Sequence, residues 1–232
     1  MKLRHIPPLL FLAAVVGFGV HGIQMRQTYT DITAQPQYQD TFTVGEIPEE
    51  ACFHACQLMP QDLPSFPIIA RVTPTSPQVP QFYVSKQTFQ VLEVFAGDQL
   101  TVGEEIWLLA ELWAALPQPQ GRYLQTGFVN YPQPGRDYLV FLSREVEVVD
   151  GFPELPTYLL GGDPRHVITP IFCYEEPETS IIIEQEGFST YVSYAEVKSN
   201  EFFATTPATM DAMVELKHTM LEQYPRSTSA QP

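Results

Sequence analysis

Alternation of apolar and polar positions, bounded by Gly and Pro, predicts a series of short strands after residue 60. The strongest pattern covers 81–95, where both faces of a strand carry apolar side chains and Gly97-Asp98 then turns the chain. A second strand over 106–112 follows, so these segments predict a hairpin. The other predicted strands are 66–72, 137–149 and 157–160, with 181–184 and 188–194 as a last hairpin across residues 185–187.

Two helices are predicted on either side of these strands. Pro48, Glu49 and Glu50 suit the first turn of a short helix over 48–57. Thr206 and Pro207 suit the N-cap and first turn of a second helix, in which apolar residues recur at helical spacing. The pattern therefore predicts a mainly β (α+β) domain with a C-terminal amphipathic helix.

The first 26 residues carry a different pattern, in which basic residues precede an apolar run from Leu9 to Val20. This run suits the core of a signal peptide and is shorter than the roughly 20 residues that cross a bilayer as a helix. We expect residues 1–26 to form a hydrophobic signal or N-terminal membrane anchor helix, with cleavage and retention both open. In either case the rest of the chain is extracytoplasmic, either tethered to the membrane by its N-terminal segment or secreted or periplasmic after cleavage.

The remaining chain divides by composition into four predicted parts. They are a polar spacer over 27–47, a β-barrel-like domain over 48–204, a C-terminal helix over 205–225 and a flexible tail over 226–232. Hydrophobic residues make up 44% of the chain and aromatic residues 12%, which is enough to fill a core. The 22 prolines favour short strands over long helices.

The charge of the chain limits its partners. All 27 acidic residues lie beyond position 23, where they face ten basic residues. This acidic balance excludes nucleic acid and makes the domain itself a poor match for an anionic membrane surface. An unknown protein, peptide or glycan outside the cytoplasm is the expected partner, with membrane contact through the N-terminal segment if it is not cleaved.

Three stretches resemble the barrel domains of the tissue-inhibitor-of-metalloproteinase and netrin C-terminal family, which includes bacterial exported proteins. These domains are OB-like, that is, of the oligonucleotide/oligosaccharide-binding type. The three stretches are 88–98, which ends in Gly97-Asp98, then 102–106, which opens with Val102-Gly103-Glu104, and 135–142, which contains Tyr138-Leu139-Val140-Phe141. The segment 158–162 also resembles the next strand of the bacterial versions. The resemblance covers about residues 66–162 and implies an OB-like β-barrel with a binding role.

Protease inhibition is one alternative that the resemblance raises. The animal inhibitors reach a protease's zinc through an N-terminal cysteine, and this chain has no cysteine near a plausible mature N-terminus. That mechanism is therefore not carried over, although an inhibitor-like module stays an alternative function.

Cys52, His54 and Cys56 form the one local cluster with metal-site character. Cys52 and Cys56 fall on one face of a helix, whereas His54 points elsewhere. Soft thiolates at this site suit copper or zinc, and a thiol- or metal-dependent function is the alternative from another class. Export favours a disulfide instead, with Cys173 able to pair with either partner. We expect no other cofactor.

Candidate recognition residues lie around the long Pro-, Gln- and Gly-rich segment 116–134. Trp113, Tyr123, Phe128 and Tyr131 are the candidates for a binding surface for a sugar or an extended peptide, although a core role is favoured for most of the aromatics in this region. His166 follows a turn-rich segment and is expected to be an ordinary surface residue. No hydrolase, zinc-protease or phosphate-loop motif occurs, so no catalytic residue is assigned and a non-enzymatic function is favoured.

Overall fold

The computed structural model describes residues 6–28, 37–45, 48–81, 84–118, 121–147, 155–177, 180–183 and 191–227. Residue contacts divide the chain into two compact units, Met1–Tyr38 and Gln39–Pro232. The first unit contains helix α1, Ile6–Thr28. None of the described helices combines the length and the hydropathy needed to cross a bilayer, so the transmembrane helix that was one alternative for residues 1–26 is not found.

The second unit is an α+β domain with a closed barrel and a C-terminal helix. Its described helices are α2 (Glu49–Asp62), α3 (Tyr194–Val197) and α4 (Pro207–Gln223), with short 3₁₀ turns at Tyr38–Thr41 and Leu63–Ser65. Its described strands are β1 (Thr43–Gly45), β2 (Ile68–Pro74), β3 (Val79–Gln81), β4 (Val84–Ala96), β5 (Glu105–Ala110), β6 (Ala114–Gln118), β7 (Gly121–Gln125), β8 (Tyr138–Glu145), β9 (Thr157–Leu160), β10 (Ile171–Cys173) and β11 (Tyr191–Ser193).

Five strands close into a barrel. The order around it is β2, β4, β5, β9 and β8, and β8 pairs again with β2. Neighbouring strands are antiparallel except β5 and β9, which are parallel with Ala110 opposite Leu160. β10 adds to β8, and β3 adds to β4. The predicted β-barrel is therefore confirmed.

The barrel strands form where alternating or fully apolar segments were predicted. β8 begins with five consecutive buried residues, Tyr138 to Leu142, and β9 is buried at all four of its positions. Gly97 ends β4 with a φ of 91°, and a Cβ there would lie 2.6 Å from the Pro67 carbonyl oxygen. Only glycine fits this turn without strain.

A second sheet corrects two predictions. It has the order β11-β1-β7-β6, so the predicted loop over 116–134 contains most of a β6–β7 hairpin. β11 pairs with β1, and the described residues Ile181 to Ile183 are not a strand. The backbone N–H of Ile183 instead donates to the Ala204 carbonyl, so that segment packs as a loop. Residues 184–190, the rest of the predicted last hairpin, lie outside the described residues.

The two longer helices of this unit pack against each other. α4 begins where the sequence predicts, because Thr206 and Thr209 form a reciprocal capping box. α2 begins at the predicted position but continues to Asp62, beyond the predicted end at Gln57. Its last residue, Asp62, therefore lies at the end of the barrel where β9 ends, beside His166.

Candidate functional site

The candidate site is a cavity of about 210 Å³ at the end of the parallel strand pair β5–β9. Parallel strands leave a barrel in the same direction, so the turns after Ala110 and Leu160 meet at one end. These turns, with Phe128 and the segment 166–170, form the cavity wall. Most of the lining side chains are apolar, and Glu111, Asp163, His166 and Thr169 are the polar ones.

His166 is the polar group that distinguishes this cavity. Its side chain is 1% exposed, which makes the prediction of an ordinary surface residue wrong. The ring stacks on Phe66 with centroids 6.1 Å apart, and its Nε2 lies 3.1 Å from the Asp62 carboxylate. Nδ1 is buried and has no hydrogen-bond partner among the described residues.

A compact ion network holds His166 in place. Asp62 Oδ2 lies 3.0 Å from the Arg165 guanidinium as well as 3.1 Å from His166 Nε2. Arg165 also contacts both carboxylate oxygens of Asp163, and its backbone N–H donates to Asp163 Oδ1. These hydrogen bonds hold the pKa of the Asp163 carboxyl well below its usual range. Because α2 supplies Asp62, the network ties that helix to the turn after β9.

The same residues test whether the cluster could be a metal site. The ligand atoms of Asp62, Asp163 and His166 lie within 4.8 Å of one another, which suits a shared cation. However, the Arg165 guanidinium already contacts both carboxylates at 2.6–3.0 Å. A metal ion would have to displace this built-in cation. We therefore assign the cluster to positioning His166 rather than to holding a metal.

Phe128, which lines the cavity, and its neighbour Gly127 have unusual backbone geometry. Gly127 and Phe128 have φ values of 61° and 60°, in the left-handed region that non-glycine residues rarely adopt. Hydrogen bonds from Thr169 N–H to the Gly127 carbonyl and from Phe203 N–H to the Phe128 carbonyl hold them there. Backbone strain of this kind concentrates at binding sites, where the surroundings enforce it.

Two further cavities lack an unsatisfied polar group. One, of about 330 Å³, lies between residues 129–138 and 198–201, and the other, of about 200 Å³, lies beside Trp107 and Lys86. Among the described side chains, four buried polar atoms have no partner: Gln78 Oε1, Ser85 Oγ, Trp113 Nε1 and His166 Nδ1. Of these four residues, only His166 lines one of the three cavities. The first cavity is therefore the one of the three whose lining includes a residue with a buried, unpartnered polar atom.

The structure separates the four predicted recognition aromatics. Trp113 is fully buried and Tyr131 is 3% exposed, and their rings pack edge to face with centroids 6.0 Å apart. These two residues therefore belong to the core. Tyr123 on β7 is half-buried, and the half-buried Phe128 lines the His166 cavity. Only Phe128 thus joins the candidate site.

The cysteine cluster also differs from its prediction. The described cysteines are all free thiols, so the predicted disulfide is not found. Cys52 and Cys56 are one helical turn apart with sulfurs separated by 4.0 Å, and Cβ atoms at that spacing lie about 5–6 Å apart, beyond the reach of a disulfide. Cys173 lies on β10 and contacts the Glu175 carboxylate, and burial raises its pKa to about 12. His54 is exposed and does not join the pair.

Sequence reasoning missed His166 because its partners come from distant parts of the chain. Asp62 lies 104 residues earlier, and no local motif links the two. The available signal was the glycine pair before Asp163, which marks a tight turn where a side chain can be turned inward.

Searches against protein-family models and against curated proteins find no match for this chain.

Proposed function

We propose that this chain is a non-enzymatic binding module, exported or membrane-tethered, that captures one side chain of a partner protein or peptide in the His166 cavity. The observation that carries the proposal is the buried, unpartnered Nδ1 of His166, a residue that lines a mostly apolar cavity. A buried polar atom without a partner costs about 1–3 kcal/mol, and a bound donor would remove that cost.

The barrel connectivity supports an OB-type assignment. OB folds are five-stranded Greek-key barrels used for binding. Here β9 lies between β5 and β8 in the barrel, although β8 comes before β9 in the chain. β9 pairs in parallel with β5. This arrangement agrees with the sequence resemblance over residues 66–162.

The size and polarity of the cavity define the ligand class. Its volume of about 210 Å³ lies below the roughly 300–1,000 Å³ of typical small-molecule pockets, so it suits one side chain. A sugar ring would present several hydroxyl groups, whereas the walls include apolar groups such as Leu112, Phe128 and Val167. With Nε2–H donating to Asp62, Nδ1 accepts one hydrogen bond. A tyrosine or tryptophan side chain combines an apolar body with one donor.

Fragment binding tests this chemistry directly. p-Cresol and indole represent the two side chains, and toluene is the matched probe that lacks the donor. Titrations followed by amide and imidazole NMR shifts should give about fivefold tighter binding of p-cresol than of toluene, because one such hydrogen bond contributes about 1 kcal/mol.

Two variants complete the experiment. His166→Phe keeps an aromatic ring beside Phe66 but removes the acceptor, so the preference for p-cresol over toluene should disappear. His218→Phe alters an exposed histidine on α4 and should leave the preference unchanged. Equal binding of toluene and p-cresol to the unmodified protein, or a preference that survives His166→Phe, would contradict the proposal.

The export part of the proposal needs a separate measurement. Intact-mass analysis of the protein from native membrane, soluble and extracytoplasmic fractions would locate the chain and its N-terminus. Full-length protein in the membrane, or protein shortened by about 20–26 residues outside the cytoplasm, supports tethering or secretion. Full-length protein confined to the cytoplasmic fraction would refute export without affecting the fragment result.

A further inference from the structure

Cys52 and Cys56 form a pair of thiols that the His166 site does not use. Both lie on α2, where Cys52 is fully buried and Cys56 is half-buried. Their sulfurs are 4.0 Å apart, and Cys52 Sγ also lies 3.8 Å from the Thr209 carbonyl at the start of α4. The packing of α2 on α4 therefore holds the Cys52 thiol in place, and an ion from solvent would reach the pair at the half-buried Cys56.

The sulfur separation suits a bridging ion better than a covalent bond. A disulfide needs Cβ atoms about 3.5–4.5 Å apart, whereas helical neighbours four residues apart keep them at about 5–6 Å. Metal–thiolate bonds of about 2.3 Å place two thiolates about 3.8 Å apart at a tetrahedral angle and about 4.6 Å apart in a line. The observed 4.0 Å falls inside this range.

The surroundings select the kind of ion. A structural zinc site takes four ligands, and the described residues bring no third His, Cys or carboxylate ligand to these thiols. The two described donors are therefore both soft thiolate sulfurs. Thiolate and thioether donors favour Cu(I), which accepts few ligands.

We propose that Cys52 and Cys56 form a two-thiolate site for a soft monovalent copper ion. On binding, each sulfur forms one bond to Cu(I) and releases its proton to water, with no change in oxidation state.

Competition with bicinchoninate, a coloured Cu(I) chelator, tests the site in the full chain under anaerobic conditions. We expect one Cu(I) per chain and a loss of affinity of at least a hundredfold in Cys56→Ser. Cys173→Ser is the matched control, because Cys173 is a buried thiol on β10, and its affinity should stay within twofold of the unmodified protein.

Two further measurements separate a loss of Cu(I) binding from a loss of folding and from a zinc-type site. Cys52→Ser should lose affinity similarly, and circular dichroism shows whether this buried substitution still folds; the half-buried Cys56 gives the decisive variant if it does not. Affinity unchanged in Cys56→Ser, or lost in Cys173→Ser, overturns the proposal. Tight Co(II) binding with the absorption of a four-ligand tetrahedral site also overturns it, because that result indicates a zinc-type site.

Discussion

The buried ion pair between Lys217 and Glu201 gives the sharpest test of how the C-terminal helix is fixed to the barrel. Lys217 lies on α4 with its side chain 1% exposed, and the Glu201 side chain is 8% exposed. The Lys217 ammonium donates to Glu201 at 2.6 Å and to the Glu175 carbonyl at 2.9 Å. The second Glu201 oxygen accepts the Cys173 backbone N–H. Each charge thus depends on the other for most of its stabilisation.

Replacing Lys217 by Met should destabilise the fold by about 3–5 kcal/mol at pH 7, because an uncompensated carboxylate stays buried. Urea unfolding followed by the fluorescence of the buried Trp113 measures this loss. The double variant Lys217→Met, Glu201→Gln removes both charges and keeps an acceptor for Cys173. It should recover most of the lost stability.

The loss should also depend on pH in a defined direction. Burial raises the pKa of Glu201 even beside Lys217, and removing the ammonium raises it further. A carboxyl whose folded pKa is raised binds its proton more tightly in the folded state. Glu201 therefore adds to the free energy of unfolding below its unfolded pKa, near 4.3. This contribution is lost as pH rises through its folded pKa. The penalty of Lys217→Met should thus shrink between pH 7 and pH 5, by up to about 1.4 kcal/mol per pH unit.

An exposed pair supplies the control. Lys198 lies 3.0 Å from Asp40, and its side chain is 49% exposed, so Lys198→Met should cost no more than about 1 kcal/mol. A loss below 1 kcal/mol for Lys217→Met at pH 7, or a penalty that is the same at pH 5 and pH 7, would refute the buried-pair reasoning.

Three smaller perturbations test other parts of the structure. Gly127→Ala should destabilise the fold by at least about 1–2 kcal/mol in urea unfolding, since φ is positive and the new Cβ would lie 2.0 Å from the Thr169 hydroxyl; an unchanged midpoint would contradict this. Thr206→Ala should lower the free energy of unfolding by about 1 kcal/mol, because it removes the N-cap of α4. Thr206→Ser keeps a capping hydroxyl and should retain most of that stability. Arg165→Gln should raise the pKa of Asp163 toward its ordinary value in an NMR titration, and an unshifted carboxyl would show that the guanidinium does not hold it.

The sequence predicted the elements whose patterns are local. β9 matches its predicted bounds, and β4 and α4 lie close to theirs, because their apolar periodicity and their Gly, Thr and Pro boundaries are contained within each segment. The β6–β7 hairpin was missed because Pro117 and the surrounding glutamines indicate a loop. Proline is tolerated there because β6 is an edge strand that pairs only with β7.

The candidate site could not be predicted, because its parts meet only through the closure of the barrel. Leu160 pairs with Ala110 about 50 residues away, and Asp62 reaches His166 only because α2 continues beyond its predicted end. Lys217 shows the same limit, since a lysine on an amphipathic helix normally faces water. Its acceptors come from the segment after β10 and from Glu201.

The position of the cavity follows from the single parallel pair in the barrel. If β5 and β9 were antiparallel, the chain would leave them at opposite ends, and the turn after Leu160 would not face the turn after Ala110. Parallel pairing brings both turns to one end, where they line one cavity together with Phe128. Changes in these turns can therefore alter the cavity while the strand pairing is preserved. Such a separation of variable turns from a rigid barrel is the arrangement that the proposed binding role requires.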